Sequence, residues 1–108
     1  MKTVIVLNHD QFGHGDRVLG MKLLGAFLSK IPTMREVTGI VLYNSGVKLI
    51  ARGSPVLGVL DQLHRDGVEL WACGTCLEHY GLEPEIVPAS NMDEIVGELD
   101  RAEKVMTL

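Results

Sequence analysis

The sequence predicts an α/β fold, a three-layer α/β/α sandwich built around a mostly parallel five-stranded sheet. Short runs rich in Val, Ile and Leu, typical of buried strands, alternate with longer stretches that have helical apolar spacing. No tight hairpin signal lies between the strands, which indicates crossover connections and parallel pairing. A length of 108 residues corresponds to one domain, so we expect a single domain over residues 1–108.

The strands differ in how clearly the sequence marks them. Thr3–Leu7 is the clearest, because its continuous apolar run fits a strand that is covered on both faces. The others are expected at residues 38–43, 68–73, 85–89 and 104–108. Residues 47–51 are compatible with either a short helix or an extended segment.

The first predicted helix runs from residue 17 to about residue 30, with Asp16 as its N-cap. Its apolar residues cover more than one face of the helix. In a domain this small, such a helix is expected to contact another subunit as well as its own core. The sequence therefore predicts a homo-oligomer.

Local start and stop signals define the remaining helices. Ser54 followed by Pro55 predicts a helix start, because a hydroxyl cap and a proline at the first helical position favour one. Gly81 predicts the end of a short helix that follows the cysteine pair. Asn91 and Glu94 have the spacing of a capping box at the start of the last helix.

Composition excludes two classes of partner. The formal net charge is −4 and no cluster of Lys and Arg occurs, so we expect neither a nucleic-acid surface nor binding to an anionic membrane. The first apolar run is too short for a signal peptide or a membrane span. The two cysteines lie close together, as is usual in a reducing compartment. We therefore expect a cytoplasmic protein.

Polar residues that can take part in binding or catalysis follow the first three predicted strands. Because binding sites of open α/β sheets lie beyond the carboxyl ends of the strands, these residues are expected to meet at one edge. The candidate catalytic residues are Cys73 and Cys76. The candidate binding residues are Asn8, His9, His14, Asn44, Ser45, Gly74 and Thr75.

The segment Cys73-Gly74-Thr75-Cys76 is the sharpest feature of the sequence. Cys73 ends a predicted strand, and Thr75 and Cys76 open a predicted helix. Free backbone N–H groups and the helix dipole favour a thiolate there, with a pKa below that of a free cysteine. A thiolate attacks a disulfide, a persulfide or a selenium analogue, and a second thiol can resolve the product. His9 or His14 could accept a proton from such a thiol.

Other interpretations of the pair remain open. The cysteines can be small core residues. They can be two of the ligands of a zinc ion with His79 as a third, although the usual second pair of ligands is missing. No phosphate-binding glycine pattern occurs, so a nucleotide site is not expected. We expect no metal and no organic cofactor.

Several segments occur in the order found in one known family. They are Asn8-His9-Asp10, Gly13-His14-Gly15-Asp16, the sequence Tyr-Asn-Ser-Gly-Val-Lys-Leu at 43–49, Gly53-Ser54, the sequence Cys-Gly-Thr-Cys-Leu at 73–77, and Asn91-Met92. Over nearly its whole length the chain resembles the DsrE-like domain of YedF-type proteins, the "sulfurtransferase-like selenium metabolism" group.

This resemblance implies a three-layer fold with a parallel sheet, homo-oligomers, and a link to sulfur or selenium transfer. In DsrE-type relays a cysteine after a central strand carries a persulfide, and by position that cysteine would be Cys73. Cys76 belongs to the narrower YedF-like pattern. Such proteins often carry a TusA-like sulfur-carrier domain, which makes a separate TusA-like protein an expected partner.

The leading hypothesis is a sulfur or selenium relay protein in which Cys73 accepts the chalcogen and Cys76 releases or protects it. The alternative is a non-catalytic module that binds a small anion or a protein partner and has redox-sensitive cysteines. A dithiol reductase is a weaker third option, for which a thioredoxin-like reduction potential would be required.

Overall fold

The computed structural model describes residues 2–108, which form five strands and four α-helices in alternation. The elements are β1 (Thr3–Leu7), α1 (Arg17–Lys30), β2 (Val37–Leu42), α2 (Leu57–Arg65), β3 (Glu69–Cys73), α3 (Gly74–Tyr80), β4 (Ala89–Ser90), α4 (Met92–Arg101) and β5 (Lys104–Thr107). Two 3₁₀ helices, Ile31–Thr33 and Asn44–Ile50, lie in the connections on either side of β2.

The sheet has the strand order β4-β3-β2-β1-β5, and every neighbouring pair is parallel. From β1 to β4 the chain moves one strand at a time in the same direction, and the last crossover returns to the opposite edge. Right-handed crossovers then put α1, α2 and α3 on one face and α4 on the other. The predicted α/β class with a parallel five-stranded sheet is confirmed.

The core is aliphatic and centred on β1 and β2. Val4, Ile5, Ile40 and Val41 are fully buried, because helices cover both faces of these inner strands. Complete burial of one such side chain contributes about 1.5–3 kcal/mol relative to exposure, so these strands dominate the stability of the sheet. None of the helices within residues 2–108 has the length and apolarity required to cross a membrane.

Helix α1 begins and ends where the sequence predicts. The Asp16 carboxylate accepts a hydrogen bond from the backbone N–H of Leu19 at 2.8 Å, which is the expected N-cap. Leu24 and Leu28 are fully buried against the sheet. The second apolar face of the helix is exposed in the single chain, with Val18 80% exposed.

The fourth strand is shorter than predicted. The sequence places it at 85–89, but β4 contains only Ala89–Ser90. Pro84 and Pro88 have no N–H to donate to a neighbouring strand, and Ile86 has φ 70°, which takes the chain out of the extended conformation. The segment between Pro84 and Pro88 therefore forms an irregular connection.

The region after β2 differs from the prediction in two ways. The ambiguous segment 47–51 belongs to the 3₁₀ helix Asn44–Ile50. The helix predicted to begin at Ser54-Pro55 begins two residues later, at Leu57. Ser54 still has a turn-stabilising role, because its Oγ accepts a hydrogen bond from the Val56 N–H at 3.2 Å.

Gly46 fixes the position of this 3₁₀ helix against the end of β1. A Cβ at residue 46 would lie 1.9 Å from the backbone oxygen of Leu7, a distance that no side chain tolerates. The same oxygen accepts a hydrogen bond from the Tyr43 N–H at 3.2 Å. The turn after β2 thus lies directly on the carboxyl end of β1, and only glycine permits this approach.

We expect Gly46→Ala to destabilise the protein by roughly 3 kcal/mol, the upper end of the usual cost of overpacking, because the obstacle is backbone. Gly58→Ala is the matched control, since nothing lies within 4 Å of a Cβ at that helical position. This control should stabilise α2 by up to about 1 kcal/mol. Urea unfolding measures both effects, and equal stability of the Gly46→Ala and wild-type proteins would contradict the packing described here.

Candidate functional site

The loops after β1, β2 and β3 lie side by side at one edge of the sheet. Leu7 pairs with Leu42, and Leu42 pairs with Ala72, so the three strands end at the same level. The candidate residues that follow these strands are therefore neighbours, as the sequence predicts.

The two cysteines occupy the junction between β3 and α3. Cys73 is the last residue of β3 and is only 2% exposed, whereas Cys76, in the first turn of α3, is partly exposed. Both are free thiols, the two residues lie 3.2 Å apart, and a hydrogen bond joins their side chains. The arrangement is a reduced pair with one outer and one inner sulfur.

Gly74 allows this tight junction. A Cβ at residue 74 would lie 2.8 Å from the backbone oxygen of Ser90, at the end of the neighbouring strand β4. Thr75 is exposed and lies beside Cys76 at the rim of a cavity. Of these two predicted binding residues, Gly74 has a clear packing role and Thr75 faces open space.

Asn44 connects the β2 loop to the outer cysteine. Its backbone N–H donates a hydrogen bond to the Cys76 Sγ at 3.1 Å, and its side-chain Oδ1 accepts one from the Tyr80 hydroxyl, also at 3.1 Å. Asn44 has φ 52°, a left-handed conformation that asparagine tolerates better than most residues. The asparagine thus holds a donor against the sulfur and is held in turn by Tyr80.

The pKa of the Cys76 thiol is raised above its ordinary value of 9.0. Burial is the main cause, and the hydrogen bond that the Cys76 thiol donates to the Cys73 sulfur acts in the same direction, because it favours the protonated form. The hydrogen bond from the Asn44 N–H favours the thiolate but does not outweigh them. For Cys76 the expected lowering of the pKa at the start of the helix is therefore wrong, because burial has the larger effect.

The two histidines of the β1 loop lie beside each other, with ring centroids 5.9 Å apart. His9 Nδ1 lies 3.0 Å from Ser45 Oγ and 3.3 Å from Asp10 Oδ1. A catalytic triad requires the serine and the carboxylate on different ring nitrogens, so this cluster does not have triad geometry. His14 is exposed, and Asn8 is partly buried at the start of the same loop.

Asp10 anchors the β1 loop to α1 through an ion pair with Arg17. The guanidinium also donates a hydrogen bond to Gln11 Oε1 at 3.2 Å. The hydrogen bond from Arg17 holds the pKa of the buried Asp10 carboxyl below its ordinary value of 3.8. At neutral pH this aspartate is therefore charged and its charge is compensated.

The outer cysteine opens into a cavity of about 290 Å³. The cavity is lined by Asn44, Thr75, Cys76, His79 and Tyr80. Sequence reasoning did not select Tyr80 as a site residue. The available signal was its spacing from Cys76, because residues four apart share one face of a helix.

No group of three or more His, Cys, Asp or Glu side chains within residues 2–108 is arranged to hold a metal ion. In particular, the zinc ligand set considered from the sequence, the two cysteines with His79, is not assembled as one cluster. The His79 ring instead packs edge-on against Tyr80, with centroids 4.9 Å apart.

Fold and site together define a small parallel α/β protein with a dithiol at the carboxyl edge of its sheet. A family model, the DsrE/DsrF-like family, matches residues 1–108, and the chain belongs to this family. The DsrE-like family is associated with sulfur relay. No curated protein sequence gives a significant match to the chain.

Solved structures support the fold. The ychN protein from E. coli has 22% sequence identity and a TM-score of 0.70, with 99% of this chain and 98% of that chain covered. The protein of unknown function MTH1491 from Methanobacterium thermoautotrophicum has 21% identity and a TM-score of 0.70, with the same coverage. BT1422 from Bacteroides thetaiotaomicron, a conserved protein of unknown function, has 18% identity and a TM-score of 0.68 over 99% of this chain and 95% of its own.

We expect alkylation of Cys76 to be slow at pH 7 and to accelerate as the pH rises through a midpoint above 9.0, because only the thiolate reacts. At pH 7 less than about 1% of this thiol would be ionised. Rates of iodoacetamide labelling between pH 6 and about 11, followed by peptide mass spectrometry, measure the midpoint. A midpoint below 9.0 would contradict the balance of burial and hydrogen bonding described above.

In the Cys73→Ala variant the midpoint for Cys76 should fall, because the hydrogen bond and the charge interaction with Cys73 both raise the Cys76 pKa. The desolvation remains, so labelling at pH 7 should accelerate only several-fold. The variant has a single cysteine, so its labelling reports Cys76 alone. An unchanged midpoint would show that the two thiols do not interact.

Proposed function

We propose that this chain is a sulfur relay protein whose dithiol accepts a sulfane sulfur, or its selenium equivalent, and passes it on. The observation that carries the proposal is the pair of free cysteines 3.2 Å apart, with the outer sulfur on a cavity and the inner one buried behind it. Membership of a family associated with sulfur relay supports the proposal. We expect the relay to operate in the cytoplasm, with a TusA-like sulfur carrier as a candidate partner.

The exposure of the two sulfur atoms supports Cys76 as the first acceptor. The resemblance considered from the sequence implies Cys73 as the carrier, but Cys73 is only 2% exposed. A donor that enters the cavity meets Cys76 first. Cys73 then serves as the inner thiol that resolves the loaded state.

The proposed transfer is balanced without an external oxidant. The Cys76 sulfur attacks the terminal sulfur of a donor persulfide R–S–SH, the donor S–S bond breaks, and the products are Cys76–S–SH and R–SH. An acceptor thiol then attacks the terminal sulfur and restores the Cys76 thiol. Alternatively Cys73 attacks the inner sulfur, releases hydrogen sulfide and forms the Cys73–Cys76 disulfide, which a dithiol reductant reduces.

Asn44 assists this chemistry by stabilising negative charge on sulfur. Its N–H donates directly to the Cys76 Sγ and favours the thiolate. A charge-assisted hydrogen bond of this kind is about twice as strong as a neutral one, so the contact strengthens as the thiolate forms. The resting thiol is thus protonated, and the donor that stabilises its charged form is already in place.

Loading with a persulfide donor, followed by mass spectrometry under non-reducing conditions, tests the proposal. We expect wild type to gain the mass of one sulfur atom at Cys76. Cys73→Ala should gain it and hold it longer, because the resolving thiol is gone. Cys76→Ala should gain little or none. Circular dichroism and thermal unfolding verify that each variant is folded.

Two outcomes would overturn the proposal in different ways. If folded Cys76→Ala loads as fast as wild type while Cys73→Ala does not, Cys73 is the acceptor and the roles are reversed. If the wild-type protein gains no sulfur from any donor, the relay function is wrong, and a binding module with redox-sensitive cysteines becomes the better hypothesis.

We also propose that copies of this chain associate through the exposed apolar face of α1. Val18, Leu19 and Leu23 are 80%, 52% and 44% exposed, and covering them would remove apolar surface from water. The apolar residues around more than one face of this helix favour the same association.

Light scattering coupled to size-exclusion chromatography tests this association. We expect wild type to elute as an oligomer and the Leu19→Lys/Leu23→Lys double variant as a monomer, because two charges would have to be buried. Val96→Lys is the matched control, since Val96 is 56% exposed on α4, on the other face of the sheet. A monomeric wild-type protein, or an oligomeric double variant, would contradict the proposal.

A further inference from the structure

A second and larger cavity, of about 460 Å³, shares Tyr80 as a lining residue with the cysteine cavity. Three basic side chains line it: Arg17 from α1, Lys48 from the 3₁₀ helix Asn44–Ile50, and Arg52 from the loop that follows. The chain as a whole carries a net charge of −4, so a concentration of positive charge in one concave region is a specific feature.

The charges in this cavity are not all compensated. Arg17 is paired with Asp10. Within residues 2–108, neither Lys48 nor Arg52 forms an ion pair with an acidic side chain. Asp10 also lines the cavity, and Lys48 helps to lower its pKa. With three cations and one carboxylate, the cavity keeps an excess of positive charge that can bind an anion.

Lys48 is held in place by an aromatic contact. Its Nζ lies 4.6 Å from the centroid of the Tyr80 ring, within the range of a cation–π interaction. The Tyr80 hydroxyl donates to Asn44, whose N–H donates to the Cys76 Sγ. Tyr80 therefore lines both cavities. Its ring contacts Lys48, and its hydroxyl contacts Asn44, the hydrogen-bond partner of Cys76.

The positive charges and the sulfur line different cavities. Neither Lys48 nor Arg52 lines the cysteine cavity, Cys76 does not line the larger one, and Tyr80 lines both. An anionic group beside Lys48 and Arg52 would therefore lie in a different cavity from the reacting sulfur. A ligand that contacts both must be elongated, with its negative charge remote from its sulfur.

We propose that Lys48 and Arg52 bind the carboxylates of a low-molecular-weight thiol whose persulfide loads Cys76. The class is a small peptide-like thiol with carboxylates several bonds from sulfur, of which glutathione is the available probe. Thiosulfate carries its charge on the group bonded directly to its sulfane sulfur, so it does not match this spacing. The transfer of the ligand's sulfur to Cys76 rests on the proposed function. The binding of an anion by Lys48 and Arg52 does not.

The anion site is tested without any sulfur transfer by titrating S-methylglutathione into the protein and following amide shifts by NMR. At low salt, Lys48→Gln/Arg52→Gln should raise the dissociation constant about 3- to 10-fold, as expected for the loss of two exposed charge pairs. An ionic strength of about 0.5 M should remove most of the difference. Lys48→Arg, which keeps the charge, should bind nearly as tightly as wild type.

The matched control is Lys30→Gln/Arg35→Gln, which makes the same change of charge at two exposed residues outside the cavity. This control should bind S-methylglutathione as tightly as wild type. Equal affinities of wild type and Lys48→Gln/Arg52→Gln, or an equal loss in the control, would overturn the anion site.

The donor class is tested by the rate of sulfur gain at Cys76 from three donors. With glutathione persulfide, Lys48→Gln/Arg52→Gln should load several-fold more slowly than wild type. With the persulfide of 2-mercaptoethanol, which has no carboxylate, and with thiosulfate, the two proteins should load equally. A dependence on these two residues for thiosulfate alone would overturn the proposed class.

The two proposals fail in distinguishable ways. If no donor loads Cys76 but S-methylglutathione binding depends on Lys48 and Arg52, the relay function is wrong and the anion site stands. If Cys76 loads from every donor regardless of these residues, the relay stands and the assignment of the cavity is wrong.

Discussion

The approach of Gly46 to the carboxyl end of β1 is the constraint on which the site depends. Because residue 46 has no side chain, the 3₁₀ helix Asn44–Ile50 lies directly on the Leu7 carbonyl, which also accepts the Tyr43 N–H. This contact fixes Asn44, and Asn44 in turn places its N–H against the Cys76 sulfur. Lys48 belongs to the same short helix, so one close backbone contact positions both the hydrogen-bond donor and the cation of the larger cavity.

This contact ties the loops of the site to the interior of the sheet. β1 is buried along its whole length between β2 and β5, so its carboxyl end is a well-packed point. Loops that are pinned to such a point can hold a side chain precisely enough for chemistry, as is usual for α/β proteins. Lys48 and Arg52 extend exposed side chains from these segments, and their positive charges suit recognition of an anionic ligand more than covalent chemistry.

Most of the fold could be predicted from the sequence, because burial and local capping act over short distances along the chain. The strand β1, the helix α1 with its Asp16 cap, and the capping box of Asn91 and Glu94 all follow from such signals. The prediction of β4 was wrong at its start, because Ile86 has a positive φ that a run of apolar residues does not reveal. The carboxyl-edge location of the site follows from topology alone, so the meeting of the three loops was also predictable.

The electrostatic state of the site could not be predicted in the same way. A helix start favours a thiolate, and this local rule gave a lowered pKa for the cysteine pair. In the folded chain the depth of Cys76 and its hydrogen bond with Cys73 reverse the direction for that thiol. Both effects depend on contacts made after folding. Tyr80 and Lys48 were overlooked for the same reason, since their significance lies in a contact across 32 residues of chain.

The separation between the positive cavity and the cysteine has a chemical consequence. None of the interactions that shift the pKa of Cys76 involves a cation, so Lys48 and Arg52 do not activate the thiol at rest. A cation next to the sulfur would lower its pKa and expose it to indiscriminate oxidation. A cation in the neighbouring cavity can instead hold an anionic donor beside a thiol that stays protonated. In the proposed relay, selectivity then comes from the length of the donor, because only a ligand that spans the distance past Tyr80 brings its sulfur to Cys76.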